Sequence, residues 1–177
     1  MNTEVILVNE HDEPQGTCEK IQAHQQGLCH RAYSIFIFAE QDHNVLLQKR
    51  YHQKYHSGSK WTNTCCSHPQ PNEKNHESAI KRLRYEMGID CVHLEHVGEY
   101  LYKHHFENGL IEHEYDHIFI GKIDKYTPLA PNPEEVSACL WISAEDLENW
   151  VKTTPNDFTP WFEKTWHLAN SSQLTII

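Results

Sequence analysis

The segment from Trp61 to Pro69 holds the residue types best suited to chemistry in this chain. Within it a thiol, Cys66, precedes an imidazole, His68, by two positions. Residues i and i+2 of an extended strand point the same way, so both side chains can face one pocket. A thiol beside an imidazole or a metal loses its proton more readily and can act as a base or nucleophile. The alternative is that Cys65 and Cys66 are simply small buried side chains.

A predicted hairpin provides candidate carboxylates. Its arms cover 99–106 and 110–123, with Asn108-Gly109 at the turn, a strong hairpin signal. On the second arm Glu112, Glu114 and Asp116 share one face. Three carboxylates in a row repel one another unless water or a metal ion compensates their charge. On an exposed edge strand, water alone would compensate this charge. The sequence is therefore compatible with a solvated strand face and with a metal site.

Two further histidines near the N-terminus complete a set of possible metal ligands. Three imidazoles and two carboxylates suit a divalent transition metal, either Mn²⁺ or Zn²⁺. Cys29, next to one of these histidines, could compete as a soft ligand. The set comprises His24, His30, His68, Glu112 and Glu114.

A second type of cation site is predicted at Glu86, an isolated helix carboxylate. It would suit a hard Mg²⁺ held mostly by oxygens of a substrate. Arg50, Lys54 and Arg82 occur around the same segments and could clamp a phosphate group.

Mixed strands and helices must position these side chains. Alternation predicts strands over 33–39 and 45–49 and a short buried strand over 138–142. A helix is predicted to open at Pro71, and Gly88 ends it. Ser143-x-x-Asp146 resembles a capping box for a helix to about Val151. The apolar stripes are Ala79, Ile80, Leu83 and Met87 in the first helix, and Trp161, Thr165, Trp166 and Ala169 in a last helix opening at Pro160.

The whole chain has the composition of a soluble globular protein rather than a nucleic-acid-binding or membrane protein. Its 177 residues predict one domain, 1–177, with 38% hydrophobic and 23% charged residues. The net charge of −10 opposes general nucleic-acid binding. The longest apolar run is too short to span a membrane, and the N-terminus lacks a signal-peptide pattern. Six irregularly spaced cysteines favour reduced thiols in the cytoplasm. Most of the 15 histidines, His56 among them, are interpreted as solvated.

Taken in order, these motifs resemble those of the type I isopentenyl-diphosphate isomerases. The resemblance runs from about residue 4 to residue 170 and implies an α/β (α+β) Nudix fold, an α/β/α sandwich around a mixed sheet. It is carried by 30–34, 46–50, Thr62-Asn63-Thr64-Cys65-Cys66-Ser67-His68-Pro69, 82–89, Gly109-x-x-Glu112-His113-Glu114, and Thr159-Pro160-Trp161-Phe162.

The Nudix box G-x5-E-x7-R-E-U-x-E-E-x-G-U is degenerate here. Ser67 replaces its first glycine, Lys81-Arg82 replace Arg-Glu, and Tyr85 replaces one of the paired glutamates. Hydrolases of this fold use clustered carboxylates to hold Mg²⁺ and activate water. A Nudix-type diphosphate hydrolase is therefore the weaker alternative. A non-catalytic zinc domain is a third, although no second Cys/His pair has finger-like spacing.

The resemblance implies a reaction and a role for each site residue. Isopentenyl diphosphate becomes dimethylallyl diphosphate by protonation at C4 and deprotonation at C2. Cys66 would be the base at C2, while Glu114 and Tyr102 would supply the C4 proton. Trp161, otherwise a core tryptophan, would face the developing positive charge. The metal ligands would be His24, His30, His68, Glu112 and Glu114. Glu86, with the Cys66 carbonyl, would bind Mg²⁺, and Lys20, Arg50, Lys54, Ser67 and Arg82 would bind the substrate. The protein is expected to act as a monomer or weak dimer.

Overall fold

The computed structural model describes residues 4–90 and 93–173. These residues form nine strands, four α-helices and a 3₁₀ turn at Pro155–Asp157. In chain order the elements are β1 (Glu4–Val8), β2 (Pro14–Glu19), α1 (Lys20–Gln26), β3 (His30–Ala39), β4 (Val45–Arg50), β5 (Trp61–Thr62), β6 (Cys65–Ser67), α2 (Asn75–Met87), β7 (Glu95–His105), β8 (Ile111–Ile123), β9 (Val136–Ile142), α3 (Ala144–Thr153) and α4 (Phe162–Gln173).

Strand β3 is the centre of one mixed sheet. It pairs in parallel with β8 along its whole length and antiparallel with β1, β4 and β6. Side chains alternate between the two faces, and each face carries its own hydrophobic cluster. One cluster packs β3 and β8 against α2, and the other packs them against α3 and α4. This is the predicted α/β/α sandwich around a mixed sheet.

Helix α2 begins at Asn75, so the predicted start at Pro71 was wrong. Asn72 has a positive φ of 71°, and this left-handed residue makes 71–74 a turn instead of a first helical turn. The predicted end is confirmed: Gly88 has φ 68°, and its N–H donates to the Arg84 carbonyl. Ala79, Leu83 and Met87 are fully buried, as the apolar stripe predicts.

Strand β9 is less buried than predicted. It pairs only with β4 among the described strands, and Val136 is its one fully buried residue. Leu140 is 37% exposed, because side chains of an edge strand are covered less completely than those of a central strand. The cap that follows is confirmed: the Ser143 hydroxyl accepts a hydrogen bond from the Asp146 N–H.

The last helix begins at Phe162, two residues after the predicted start. Trp166 and Ala169 lie in the hydrophobic cluster on its inner side. Trp161 precedes the helix, and its ring lies near Tyr102 and Arg50 instead of within that cluster. None of the described helices is long and apolar enough to cross a membrane.

Candidate active site

Five buried or nearly buried side chains converge at one end of the sheet. One ligand atom from each lies within 4.8 Å of the corresponding atom of every other. Donor atoms on opposite sides of an octahedral ion with bonds of about 2.1 Å are about 4.2 Å apart, so the cluster has nearly the size of a coordination shell. Its members are the predicted metal ligands: His24, His30, His68, Glu112 and Glu114.

The sheet register brings these ligands together. His30 and Glu114 are direct partners across the parallel β3–β8 pair. Glu112 lies two residues before Glu114 and therefore on the same face. His68 directly follows β6, which pairs with the edge of β3 opposite to β8. Helix α1 ends at Gly27, whose φ of 64° turns the chain back towards β3.

Backbone carbonyls orient two of the imidazoles. His24 Nδ1 donates to the Lys20 carbonyl at 2.7 Å, and His30 Nδ1 donates to the Leu28 carbonyl at 2.9 Å. Both Nε2 atoms are thereby left to face the carboxylates, the tautomer that a metal-binding histidine needs. His30 Nε2 is buried without a hydrogen-bond partner among the described residues. An orphaned buried nitrogen beside two carboxylates fits a bound divalent cation.

The carboxylates are held by the remaining contacts in the cluster. His24 Nε2 lies 3.0 Å from Glu112 Oε1, and His68 Nε2 lies 2.7 Å from Glu114 Oε1. The Tyr102 hydroxyl donates to Glu114 Oε2 at 2.7 Å. Tyr102 and Glu114 are cross-strand partners in the β7–β8 hairpin, which explains their contact. A phenol and a carboxylate that share a hydrogen bond can pass a proton between them.

The partner of Cys66 differs from the sequence-based expectation. His68 contacts Glu114, whereas the Arg50 guanidinium donates to the thiol, with Nη1 3.8 Å from Sγ. Burial raises the pKa of the Cys66 thiol to about 12, and the positive charge of Arg50 opposes this rise only in part. Both side chains nevertheless line one cleft, as their two-residue spacing predicts.

A cleft lined by four cationic side chains opens beside the ligand cluster. It contains all four predicted cations, with Cys66, Glu114 and Trp161 on its walls. This places positive charge for an anionic group next to the thiol and the carboxylate. The lining residues are Lys20, Arg50, Lys54, Tyr55, His56, Cys66, Ser67, His68, Arg82, Glu112, Glu114 and Trp161.

Glu86 lies beneath this cleft and does not line it. Its Oε1 accepts from Arg82 Nε at 2.7 Å, and its Oε2 accepts from Gln48 Nε2 at 2.9 Å. Arg82 also contacts Glu135, which in turn pairs with Lys54. Two of the four predicted phosphate-binding cations, Lys54 and Arg82, thus form ion pairs with carboxylates of the protein.

Sequence comparison connects this geometry to known proteins. The NUDIX domain family matches residues 29–162. An isopentenyl-diphosphate Delta-isomerase of Burkholderia multivorans is 46% identical over 162 residues, which cover 92% of this chain and 90% of that protein. The chain belongs to the isopentenyl-diphosphate Delta-isomerase family. A second relative, isopentenyl-diphosphate Delta-isomerase 2 of Aromatoleum aromaticum, is 45% identical over 91% of this chain and 83% of its own length.

Solved structures support the fold of this isomerase family member. A MutT protein from Methanosarcina mazei superposes with a TM-score of 0.61 at 16% identity, covering 78% of this chain and 91% of that one. A Nudix hydrolase from M. smegmatis gives 0.58 at 16% identity and covers 97% and 96%. At such low identity these similarities establish a shared Nudix fold.

The electrostatics of the isomerase site explain why its carboxylates need partners. Burial raises the pKa of Glu112, but the close contacts with His24 and His56 outweigh it and keep that pKa well below its usual value. Among the described residues, no basic side chain lowers the pKa of Asp116 in the same way. Burial, followed by the negative charge of Glu114, raises its pKa well above the ordinary range. The hydrogen-bond partner of this third carboxylate is a hydroxyl: Ser34 Oγ donates to Asp116 Oδ2 at 2.7 Å.

His56 is a site residue that sequence analysis missed. It was interpreted as solvated, yet it is only 6% exposed. Its Nε2 lies 2.6 Å from Glu112 Oε2, off the line of a hydrogen bond. Its ring stacks on Phe106 and meets Trp161 edge-on. The only local signal was its position in a loop with Tyr55 and Lys54, which is too weak to predict burial.

Proposed function

We propose that this protein interconverts isopentenyl diphosphate and dimethylallyl diphosphate. The observation that carries the proposal is one cleft in which Cys66 and Glu114 are both exposed to a ligand that the basic residues would hold. Moving an unactivated double bond requires a proton to enter at C4 and another to leave at C2. An acid and a base lining the same water-excluding site supply both steps.

Glu114 and Tyr102 form the acidic side of the site. Their shared hydrogen bond holds one transferable proton close to the cleft. When bound, a divalent ion at the five-residue site supplies positive charge that stabilises the Glu114 carboxylate after it has given up its proton. The His/Glu donor set suits Mn²⁺ or Zn²⁺.

Cys66 is the base that removes the C2 proton. The thiolate is the form that accepts this proton, although burial raises the pKa of the free thiol. Arg50 lies close enough to stabilise the thiolate before transfer. Trp161 also lines the cleft, with its ring centre 5.6 Å from the Arg50 guanidinium carbon, and would stabilise positive charge on the carbon skeleton.

The diphosphate would bind among Lys20, Arg50, Lys54 and Arg82, with Ser67 at the edge. Glu86 would hold a Mg²⁺ ion, which would supply positive charge to the diphosphate. For this Glu86 must give up one of its contacts, with Arg82 or with Gln48. A phosphate oxygen can take over the released guanidinium of Arg82.

The free cysteines and the amino-acid composition support a location in the cytoplasm. Every cysteine in the described residues is a free thiol, which suits the cytoplasm. The net charge of −10 and the local basic cleft favour a small anionic substrate over nucleic acid. We expect the protein to act there as a monomer or weak dimer.

An NMR assay in D₂O tests the proposal. Isopentenyl diphosphate is incubated with the full chain, Mg²⁺ and either Mn²⁺ or Zn²⁺. We expect dimethylallyl diphosphate carrying deuterium from the wild type, and a loss of at least about 100-fold in Cys66→Ala, because removing a general base costs about 10²–10⁴ in rate.

Cys18→Ala is the matched control, since Cys18 lies on β2 outside the cleft and should leave the rate unchanged. Release of inorganic phosphate without isomer would instead support the Nudix-type hydrolase. Full activity in Cys66→Ala would remove the assigned base while leaving the substrate assignment intact.

A further inference from the structure

A second group of histidines lies on the face of the β7–β8 hairpin opposite the active site. His117 occupies an odd position of β8, whereas the carboxylates of the active site occupy even positions. His117 Nδ1 lies 3.3 Å from His96 Nε2, and His96 Nε2 lies 3.5 Å from Glu99 Oε1. All three ligand atoms lie within 4.8 Å of one another. His96 and Glu99 are exposed, so a solvent ion can reach them.

A β-bulge creates this convergence. In a regular strand His96 and Glu99, three residues apart, would point to opposite faces. The β7–β8 register shifts between His96 and Gly98, which leaves Val97 as an extra residue and turns both side chains to the same face. Glu99 then lies directly across from His117. Bulges commonly re-aim side chains in this way.

A further carboxylate fixes the tautomer of His117. Its Nε2 donates to Asp12 Oδ2 at 3.0 Å, which leaves the lone pair of Nδ1 directed at His96 and Glu99. Asp12 is itself held by Arg31, whose Nε donates to Oδ1 at 2.7 Å. A carboxylate–histidine pair of this kind orients metal-binding imidazoles and increases their basicity. It is an observation independent of the three-residue cluster.

We propose that His96, Glu99 and His117 form a second metal site, for a borderline divalent cation such as Zn²⁺. Two imidazoles and one carboxylate provide three protein ligands, and water completes the shell on the exposed side. Asp12 is the positioning residue. Because Asp12 lies between β1 and β2, the bound ion would couple the N-terminal hairpin to β7 and β8.

Calorimetric titration of the metal-free full chain with Zn²⁺ tests this site. We expect two equivalents in the wild type and one in His96→Ala, with isomerase activity unchanged because His96 lies outside the active site. Asp12→Asn should keep two equivalents but weaken the second about ten-fold, as loss of an outer-shell partner typically does.

His167→Ala is the matched control, since His167 is another exposed histidine near a glutamate, 3.9 Å from Glu163. It should retain both equivalents. A wild type that binds a single equivalent, or a His96→Ala variant that still binds two, would overturn the proposal. Addition of the second equivalent should also shift the backbone amide resonances of Gly98 and Glu99 in the wild type. Unchanged resonances there would equally contradict the site.

Discussion

At the scale of single residues, Glu112 shows how the site holds a buried charge. One of its oxygens contacts His24 and the other contacts His56. The carboxylate is thereby oriented before any cation binds, so less conformational freedom is lost on binding. His56 does this from a loop, where the stacked ring of Phe106 holds it in place.

Replacing His56 therefore tests how far the loop contributes to the site. We expect His56→Ala to lower Mn²⁺ affinity about 10-fold or more, since one oxygen of Glu112 loses its partner. His56→Gln should recover part of the loss because an amide N–H can still donate. Direct Mn²⁺ binding, followed by electron paramagnetic resonance, measures the effect.

His52→Ala serves as the control, because His52 lies on the same loop but is exposed. Equal Mn²⁺ affinity in the wild type and His56→Ala would show that His24 alone orients Glu112.

The site residues differ in how far the sequence could predict them. Glu112 and Glu114 follow from two-residue alternation on a long strand, which fixes their direction locally. His56 has no such pattern, and its burial depends on Phe106 and Trp161, which come from distant segments. Local spacing could not show that Arg50, the last residue of β4, contacts Cys66 on β6.

At the scale of elements, strongly periodic segments were predicted and short exposed ones were not. The stripe of α2, the glycine at its end and the β7–β8 hairpin all carry local signals, and each is present. Strand β2 is mostly exposed and lacks alternation, so only its pairing with β1 defines it. The parallel pairing of β3 with β8 was equally beyond local patterns, because distant segments must meet to form it.

A substitution at Gly88 tests the close contact between the end of α2 and Ala130. A Cβ at this position would lie 2.6 Å from the Ala130 Cβ and 2.9 Å from its carbonyl oxygen, on a backbone with φ 68°. We expect Gly88→Ala to cost about 2–4 kcal/mol of unfolding free energy, combining backbone strain with overpacking. Urea denaturation measures the cost.

Gly109→Ala separates the two causes. Gly109 also has a positive φ, 85°, but nothing lies within 4 Å of its added Cβ. It should cost only about 1 kcal/mol. Equal losses in the two variants would mean that the contact with Ala130 contributes nothing.

At the scale of the whole molecule, the hydrophobic clusters and the metal ligands are separate. Each face of the sheet carries its own cluster of buried apolar side chains, and the ligands lie at one end of that sheet. The metal-free protein should therefore remain folded, unlike a small zinc domain whose metal replaces a core. This permits its stability to be measured without metal.

The pH dependence of that stability should report on His68. Burial lowers the pKa of His68 to about 4, against 6.5 for an ordinary histidine. Between these values the unfolded chain binds a proton that the folded chain excludes, so stability falls as the pH falls from 6.5 to 4. The loss assigned to His68 is about 3 kcal/mol.

Urea titrations of EDTA-treated wild type and His68→Gln at several pH values measure this loss. The variant lacks the ionisable ring and should lose correspondingly less stability over the same interval. Parallel curves for the two proteins would show that His68 accepts a proton in the folded state as easily as in the unfolded one.

The parallel pairing of β3 with β8 also has a consequence for how the protein acquires its activity. His30 and Glu114 become neighbours only when the first part of the chain meets a strand from its second half. Such non-local pairing is entropically costly and slow, and on the ribosome β3 must wait until β8 has been synthesised. Metal-binding capacity should therefore arise late in folding, in the same step that completes the sheet.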